Sequence, residues 1–252
     1  MQEIELPVKY TDLEDGQVKF KVKKYPILDP HTVIAFLFNV AKLELPMENI
    51  RRYWQHSAAH GEEWARTIDS HERIPLGIFG DGARVTTHAG VTNIVGIFMN
   101  VIHWRPASVR SSRFLLFAIG EGDLWDHHTL NKVYRRLTWS FNTLWAGVHP
   151  DRDPWGHELP EKMKRKAGSN IVCDGAYKFA VTEIRGDWSY HKKVFRFKNT
   201  SWNSINTCHW CRAKSNGPYK DVFWNLETTS SWYDRNLNLD DWCEEKMPTS
   251  GI

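Results

Sequence analysis

Cysteines are few and long apolar runs are missing, and each absence excludes a class of protein. Four cysteines in 252 residues are too few for a small scaffold held together by disulfides. The best apolar runs, residues 93–104 and 114–120, are shorter than the ~20 residues that a membrane-spanning helix requires. The first residues, MQEIELPVKY, contain no basic segment followed by an apolar one, so they do not resemble a secretory signal. We therefore expect a soluble globular protein of a reducing compartment, without a membrane partner.

Charge is distributed unevenly, although the formal net charge is only +3. Residues 161–198 carry ten Lys and Arg against four Asp and Glu, whereas residues 221–246 carry seven acids against two bases. A solvated surface explains both patterns, and the alternative is a basic strip that contacts phosphate groups. The candidate nucleic-acid ligands in or soon after this strip are Lys192, Lys193, Arg196, Lys198 and Arg212.

Tryptophan is abundant, with 13 residues in the chain. Ten of them lie between Trp125 and Trp242, where they are interleaved with the candidate nucleic-acid ligands. Such a mixture is typical of core packing, and it is also the composition of a surface that stacks unpaired bases. Both interpretations stay open from the sequence.

Hydrophobic periodicity predicts an N-terminal helical region over residues 1–72, followed by a strand-rich core. Two helices are expected in the N-terminal region, at 31–43 and 46–71. Short polar connections separate three predicted strands, as expected for antiparallel neighbours. These strands are 75–85, 93–104 and 113–125, and they are followed by a predicted helix at 127–145 and a fourth strand at 176–188.

Two of the predicted strands end in a Gly-Asp pair, which places Asp81 on the first strand and Asp187 on the fourth. In an RNase H-like domain, three antiparallel strands and a helix lead to a fourth strand beside the first, so that such acids converge. Neighbouring carboxylates repel each other and are best accommodated by a bound divalent cation such as Mg²⁺. A turn aspartate that bonds its own backbone is the alternative for Asp81. Two other acids, Asp123 and Asp174, are expected to lie away from this edge.

Three motifs carry a resemblance to a known family: IPLGIFGDGARV at 74–85, IRGDWSYHKKVF at 184–195 and CHWCRAK at 208–214. With them, the chain resembles part of the catalytic core of DDE-type transposases, in particular the CACTA-type (En/Spm-like) group and its relatives in protists. The resemblance implies an RNase H-like fold in which Asp81 and Asp187 are catalytic acids that bind Mg²⁺ or Mn²⁺. It also implies a DNA partner and a nuclear location, and it allows a homo-oligomer.

The resemblance divides the chain into an N-terminal helical region (1–72), a catalytic core (73–200) and a CxxC-containing insertion or truncated C-terminal segment (201–252). In the last segment, Cys208 and Cys211 supply two of the four ligands of a structural zinc site, and a packed, reduced pair is the alternative. The family requires a third acid on a later helix, and no acid after Cys211 lies in a helical pattern. We therefore expect a truncated core that does not cleave DNA alone. The alternatives are a non-enzymatic nucleic-acid-binding relic and a zinc-stabilised interaction module.

Overall fold

A six-stranded mixed sheet organises the first of the two units into which the chain divides, Met1–Gly186 and Asp187–Ile252. The structure is a computed structural model that describes residues 2–60, 65–66, 73–84, 93–173 and 177–195. The strands are β1 (Gln2–Thr11), β2 (Val18–Ile27), β3 (Arg73–Arg84), β4 (Asn93–Val101), β5 (Phe114–Gly120) and β6 (Lys178–Gly186). Their order across the sheet is β1-β2-β5-β4-β3-β6.

The connections in the sheet confirm a mixed α/β fold. Strands β3, β4 and β5 form an antiparallel meander, and β6 pairs with β3 in parallel. The strand that was predicted as the fourth therefore lies beside the one that was predicted as the first. A parallel neighbour cannot be reached through a tight turn, so a long connection containing a helix joins β5 to β6.

The β1–β2 hairpin corrects the prediction of a helical region over residues 1–72, which is wrong for residues 2–27. Strand β1 alternates buried apolar and outward polar side chains, with Ile4, Leu6 and Val8 buried at 1% exposure or less. That period of two is the pattern of a strand with one buried face. Gly16, at φ +68°, supplies the left-handed residue in the turn that joins the two strands.

The helices are α1 (Pro30–Asn39), α2 (Met47–Ala59), α3 (Asp126–Ala146), α4 (Glu161–Lys164) and α5 (Trp188–Phe195). Helix α2 ends at Ala59 with His60 at its C-cap, so the helix predicted at 46–71 is interrupted there. Residues 65 and 66 are helical, and residues 61–64 and 67–71 lie outside the described residues. Helix α5 lies in the second unit, of which the structure describes residues 187–195. Within the described residues, no helix is both long enough and apolar enough to cross a bilayer.

Helix α3 covers one side of the sheet and leads the chain toward β6. It contacts β1, β6 and α1. Its predicted apolar stripe is buried at Leu130, Val133, Leu137 and Leu144, whereas Trp145 is 40% exposed and lies against the Arg73 guanidinium at 3.6 Å from the ring centroid. Burial of this stripe determines which face of α3 lies against the sheet.

Candidate functional site

The paired ends of β3 and β6 carry the two acids that the sequence analysis singled out. In the parallel register, Gly80 of β3 lies opposite Gly186 of β6. Asp81 is the next residue on β3, and Asp187 directly follows Gly186 as the first residue of the second unit. The register therefore aligns Gly80 with Gly186, the glycines that precede the two acids in the sequence.

Asp81 lies within a strand, which rules out the alternative that it is a turn aspartate. It pairs with Gly96 of β4 and is half-buried. Because side chains alternate along a strand, Asp81 shares a face with Phe79, and the buried Ile78 points to the other face. At the next residue, Gly82, an added Cβ would point to the face opposite Asp81 and would meet no atom within 4 Å.

Asp187 has a structural role that the sequence analysis did not predict. Its Oδ1 accepts a hydrogen bond from the backbone N–H of Tyr190 at 2.6 Å. A carboxylate three residues before the donor is the N-cap arrangement of a helix, here α5. The cap uses one oxygen of the exposed Asp187 carboxylate, so a metal-binding role at this residue would fall mainly to the other oxygen.

The remaining predicted ligands are only partly covered by the structure. Lys192 and Lys193 belong to α5. Five predicted ligands lie outside the described residues: Arg196, Lys198, Cys208, Cys211 and Arg212. Among the described residues, no group of three or more His, Cys, Asp or Glu side chains is placed to hold a metal ion.

Asp123, one of the two acids that were expected to lie away from the edge with Asp81 and Asp187, makes polar contacts with other residues of the chain. It follows β5, and its Oδ2 accepts a 2.6 Å hydrogen bond from the Tyr25 hydroxyl and lies 3.5 Å from Lys23 Nζ. Burial is the main cause that raises the pKa of Tyr25, and the Asp123 carboxylate raises it further. These contacts join β2 to the turn after β5, which is a structural role.

A recess beside Asp81 was missed by the sequence analysis. It encloses about 160 Å³ on the face of the sheet that carries Asp81 and Phe79. Its wall includes Phe79, Phe98, Asn100, Arg113 and Arg185, which come from β3, β4, the residue before β5, and β6. One prediction from the sequence bore on the recess, because β3 and β6 were expected to be neighbours. No local sequence pattern connects the five lining residues.

Two glycines allow the side chains of this recess to lie close to the sheet. A Cβ built on Gly96 would lie 2.8 Å from Cε2 of Phe98, and one built on Gly77 would lie 2.5 Å from Oδ1 of Asn100. Neither distance is compatible with a real methyl group. Glycine at these two strand positions therefore makes room for the Phe98 ring and the Asn100 amide.

We expect Gly96→Ala to lower the free energy of unfolding by about 1–3 kcal/mol, because the new methyl group forces the Phe98 ring out of its place. The matched control is Gly82→Ala in the adjacent strand, where the methyl group meets open space. That control should be neutral or stabilising by up to about 1 kcal/mol. Urea unfolding of the two variants measures the difference, and equal effects would contradict the packing argument.

A second polar group lies near β6, around Tyr53 of α2. The Tyr53 ring lies 5.4 Å from the ring of His103, a residue at φ +74°. Burial lowers the pKa of His103, and Arg105 lowers it further. Burial is likewise the main cause that raises the pKa of Tyr53. Both side chains are therefore neutral around pH 7, and the group adds no positive charge beside β6.

The family resemblance depends on the three motifs and on the order of the strands. No protein-family model, curated protein or solved structure matches this chain.

Proposed function

We propose that this chain is the DNA-binding core of a protein of the DDE-transposase type, in which Asp81 and Asp187 bind Mg²⁺ or Mn²⁺. The observation that carries the proposal is the parallel register of β3 and β6, with Gly80 opposite Gly186. Each glycine is followed by an aspartate in the sequence, which is the pattern that the proposal requires of the two metal-binding acids. An RNase H-like fold and a nuclear location belong to the same proposal.

The chemistry of the donor set fits a hard divalent cation. Mg²⁺ and Mn²⁺ prefer oxygen ligands, and Mg²⁺ keeps several water molecules when it binds to one or two carboxylates. Asp81 is half-buried, and Asp187 keeps one oxygen outside its cap to Tyr190. When bound, metal ions in such a site supply an activated water molecule and stabilise the leaving oxygen of a phosphodiester.

The number of ligands argues that this site is incomplete for cleavage. Within the described residues, no third acid, histidine or cysteine joins the two aspartates in a group that could hold a metal. Two carboxylates hold a metal ion weakly, and the resemblance to DDE-type transposases implies that cleavage also needs a third acid. We therefore propose a core that binds metal and DNA but does not cut DNA alone.

We expect the chain to bind Mn²⁺ weakly and to leave supercoiled plasmid uncut in the presence of Mg²⁺ or Mn²⁺. The double variant Asp81→Asn/Asp187→Asn should lose Mn²⁺ binding by at least about tenfold, because the amide removes both negative charges. Asparagine is also a good N-cap, so the hydrogen bond to Tyr190 and the start of α5 are retained. Calorimetric titration measures the binding, and a gel assay measures the nicking.

The matched control for this experiment is Asp151→Asn, which removes one exposed carboxylate elsewhere in the first unit. Unchanged Mn²⁺ affinity in the double variant would overturn the metal proposal. Nicking by the wild-type chain that disappears in the double variant would show that another acid completes the site. In that case the chain would be an active nuclease core and not an incomplete one.

One observation favours a second candidate, a nucleic-acid-binding protein without a working metal site. The Asp187 carboxylate already caps α5, which is a sufficient structural reason for an acid at that position. This candidate predicts DNA binding that is the same with Mn²⁺ and with a chelator. The metal titration described above separates the two candidates.

A further inference from the structure

The recess beside Asp81 has the composition of a binding site and not of a gap in the core. Its aromatic side chains, Phe79 and Phe98, are half-buried, with ring centroids 6.2 Å apart and planes tilted by 47°. The Asn100 amide, also half-buried, provides a hydrogen-bond donor and acceptor at the wall. Apolar surfaces with a few convergent polar groups are the usual composition of small-ligand sites.

Two arginines give the recess a positive rim. The Arg113 guanidinium lies over Phe79, with Cζ 5.4 Å from the ring centroid. The Arg185 guanidinium forms an ion pair with Glu183, the residue two positions earlier on β6. Both arginine residues are exposed, so a ligand can reach their N–H groups. Arginine is well suited to phosphate, because its planar fork of donors matches the geometry of phosphate oxygens.

The recess lies next to Asp81 along β3, because its lining residue Phe79 is two residues before Asp81. Phe79 and Asp81 are two residues apart and share a face, which corresponds to about 7 Å along the strand. The Phe98 ring occupies the space over Gly96, and Gly96 is the residue paired with Asp81. An aromatic face, two guanidinium groups and a carboxylate thus follow one another on a single surface of the first unit.

We propose that this recess binds one unpaired nucleotide of a nucleic-acid strand, with the base on the Phe79 and Phe98 rings and a phosphate at Arg113 and Arg185. The inference rests on the proposed function, and it names the form of nucleic acid that the surface accepts. In a duplex, both faces of a base are covered by its neighbours, so only an unpaired or extruded base can stack on protein rings.

The test is the binding of fluorescein-labelled dT8 and of an eight-base-pair duplex to the full chain in a chelator, measured by anisotropy. We expect Phe98→Leu to weaken dT8 binding by about tenfold, because leucine keeps an apolar side chain but removes the aromatic face. Arg113→Gln should weaken dT8 binding and reduce its dependence on salt by about 0.7 in logarithmic slope. The duplex should be affected less by Phe98→Leu than the single strand.

Arg135→Gln is the matched control, because Arg135 is an exposed arginine on α3, away from the recess. It should leave the affinity for dT8 unchanged. Circular dichroism checks that Phe98→Leu folds, and Arg113 is exposed, so its variant is informative even if Phe98→Leu does not fold. Unchanged dT8 binding in both recess variants, or equal weakening of single strand and duplex by Phe98→Leu, would overturn the inference.

The outcomes separate this inference from the metal proposal, because the chelator removes any contribution of a divalent ion. If Asp81→Asn/Asp187→Asn loses Mn²⁺ while dT8 binding is insensitive to Phe98 and Arg113, the metal proposal stands and the recess inference is wrong. If the recess variants lose dT8 but Mn²⁺ does not bind, the recess is a single-strand site in a protein without a metal centre. If neither oligonucleotide binds, the recess inference is wrong, and the Mn²⁺ titration still decides the metal proposal.

Discussion

Arg136→Leu is expected to lower the free energy of unfolding by about 3–5 kcal/mol, because it leaves a buried carboxylate without its counterion. The Asp29 side chain is 0% exposed, and Arg136 contacts it through Nε at 2.7 Å and Nη2 at 3.0 Å. Arg136 Nη1 also donates to the carbonyl of Glu3 at 2.9 Å. One side chain thus joins α3 to β1 and to the residue before α1.

Urea unfolding tests this expectation with a matched control one residue away. Arg135 precedes Arg136 on α3 but is exposed, so Arg135→Leu should change the free energy of unfolding by less than about 0.5 kcal/mol. The double variant Asp29→Leu/Arg136→Leu should recover much of the loss, because removing both charges leaves no buried charge unpaired. Equal losses in the Arg135 and Arg136 variants would contradict the buried ion pair.

Lowering the pH from 6.5 to 4 is expected to lower the free energy of unfolding by about 3 kcal/mol through His31 alone. His31 is buried, and burial lowers its pKa from 6.5 to about 4. Its ring Nδ1 lies 2.7 Å from Ser140 Oγ, and the same oxygen accepts the backbone N–H of His31 at 3.0 Å. In the neutral ring, Nδ1 can accept a hydrogen bond from the Ser140 hydroxyl while Oγ still accepts the backbone N–H.

The direction of this pH dependence follows from whether the folded or the unfolded chain binds the proton. Between pH 6.5 and about 4, the unfolded chain protonates its histidine while the folded chain keeps His31 neutral. Stability is therefore fully present above pH 6.5 and is lost progressively as the pH falls through this range. His149 contributes in the same direction, because burial, and then Lys166, lower its pKa.

Denaturant unfolding at several pH values measures this dependence, and His31→Gln isolates the share of one residue. The variant should be less stable at pH 7. Between pH 6.5 and 4, its free energy of unfolding should fall less steeply with pH, and the difference in slope should correspond to about one bound proton. His149→Gln serves as the comparison, since His149 is less deeply buried than His31. An unchanged slope in His31→Gln would show that His31 is protonated in the folded chain.

The network around Arg136 and His31 bears on the candidate site through the position of α3. Arg136 and Ser140 hold α3 against β1, Asp29 and the start of α1. The C-terminal end of the same helix is joined to β3, because the Arg73 guanidinium donates to the carbonyl of Trp145 at 2.8 Å. Since α3 contacts β6, these polar contacts help to set the register of β6 beside β3.

The order of strands in the core could be predicted from the sequence, because hydrophobic periodicity is a local property. Apolar runs and short connections predicted three neighbouring strands, and the stripe at Leu130, Val133 and Leu137 predicted the helix that follows them. The pairing of β6 with β3 was expected from the strand order of an RNase H-like domain, and the structure has these two strands side by side. The alternation in β1 and β2 was equally visible, at Ile4, Leu6 and Val8 and at the apolar residues between the lysines of β2. These residues were nevertheless included in the helical region predicted over 1–72, although its two helices were placed at 31–43 and 46–71.

The surroundings of the candidate site were decided only by the tertiary structure. The half-burial of Asp81, the cap from Asp187 to Tyr190 and the recess between Phe98 and Arg113 depend on side chains from separate segments. Glycine at position 96 has no evident reason in the sequence, and its reason is the Phe98 ring that lies over it. Strand periodicity can be read locally because each residue carries its own hydrophobicity. Contacts across strands depend on register, and register is set by the packing of the whole sheet.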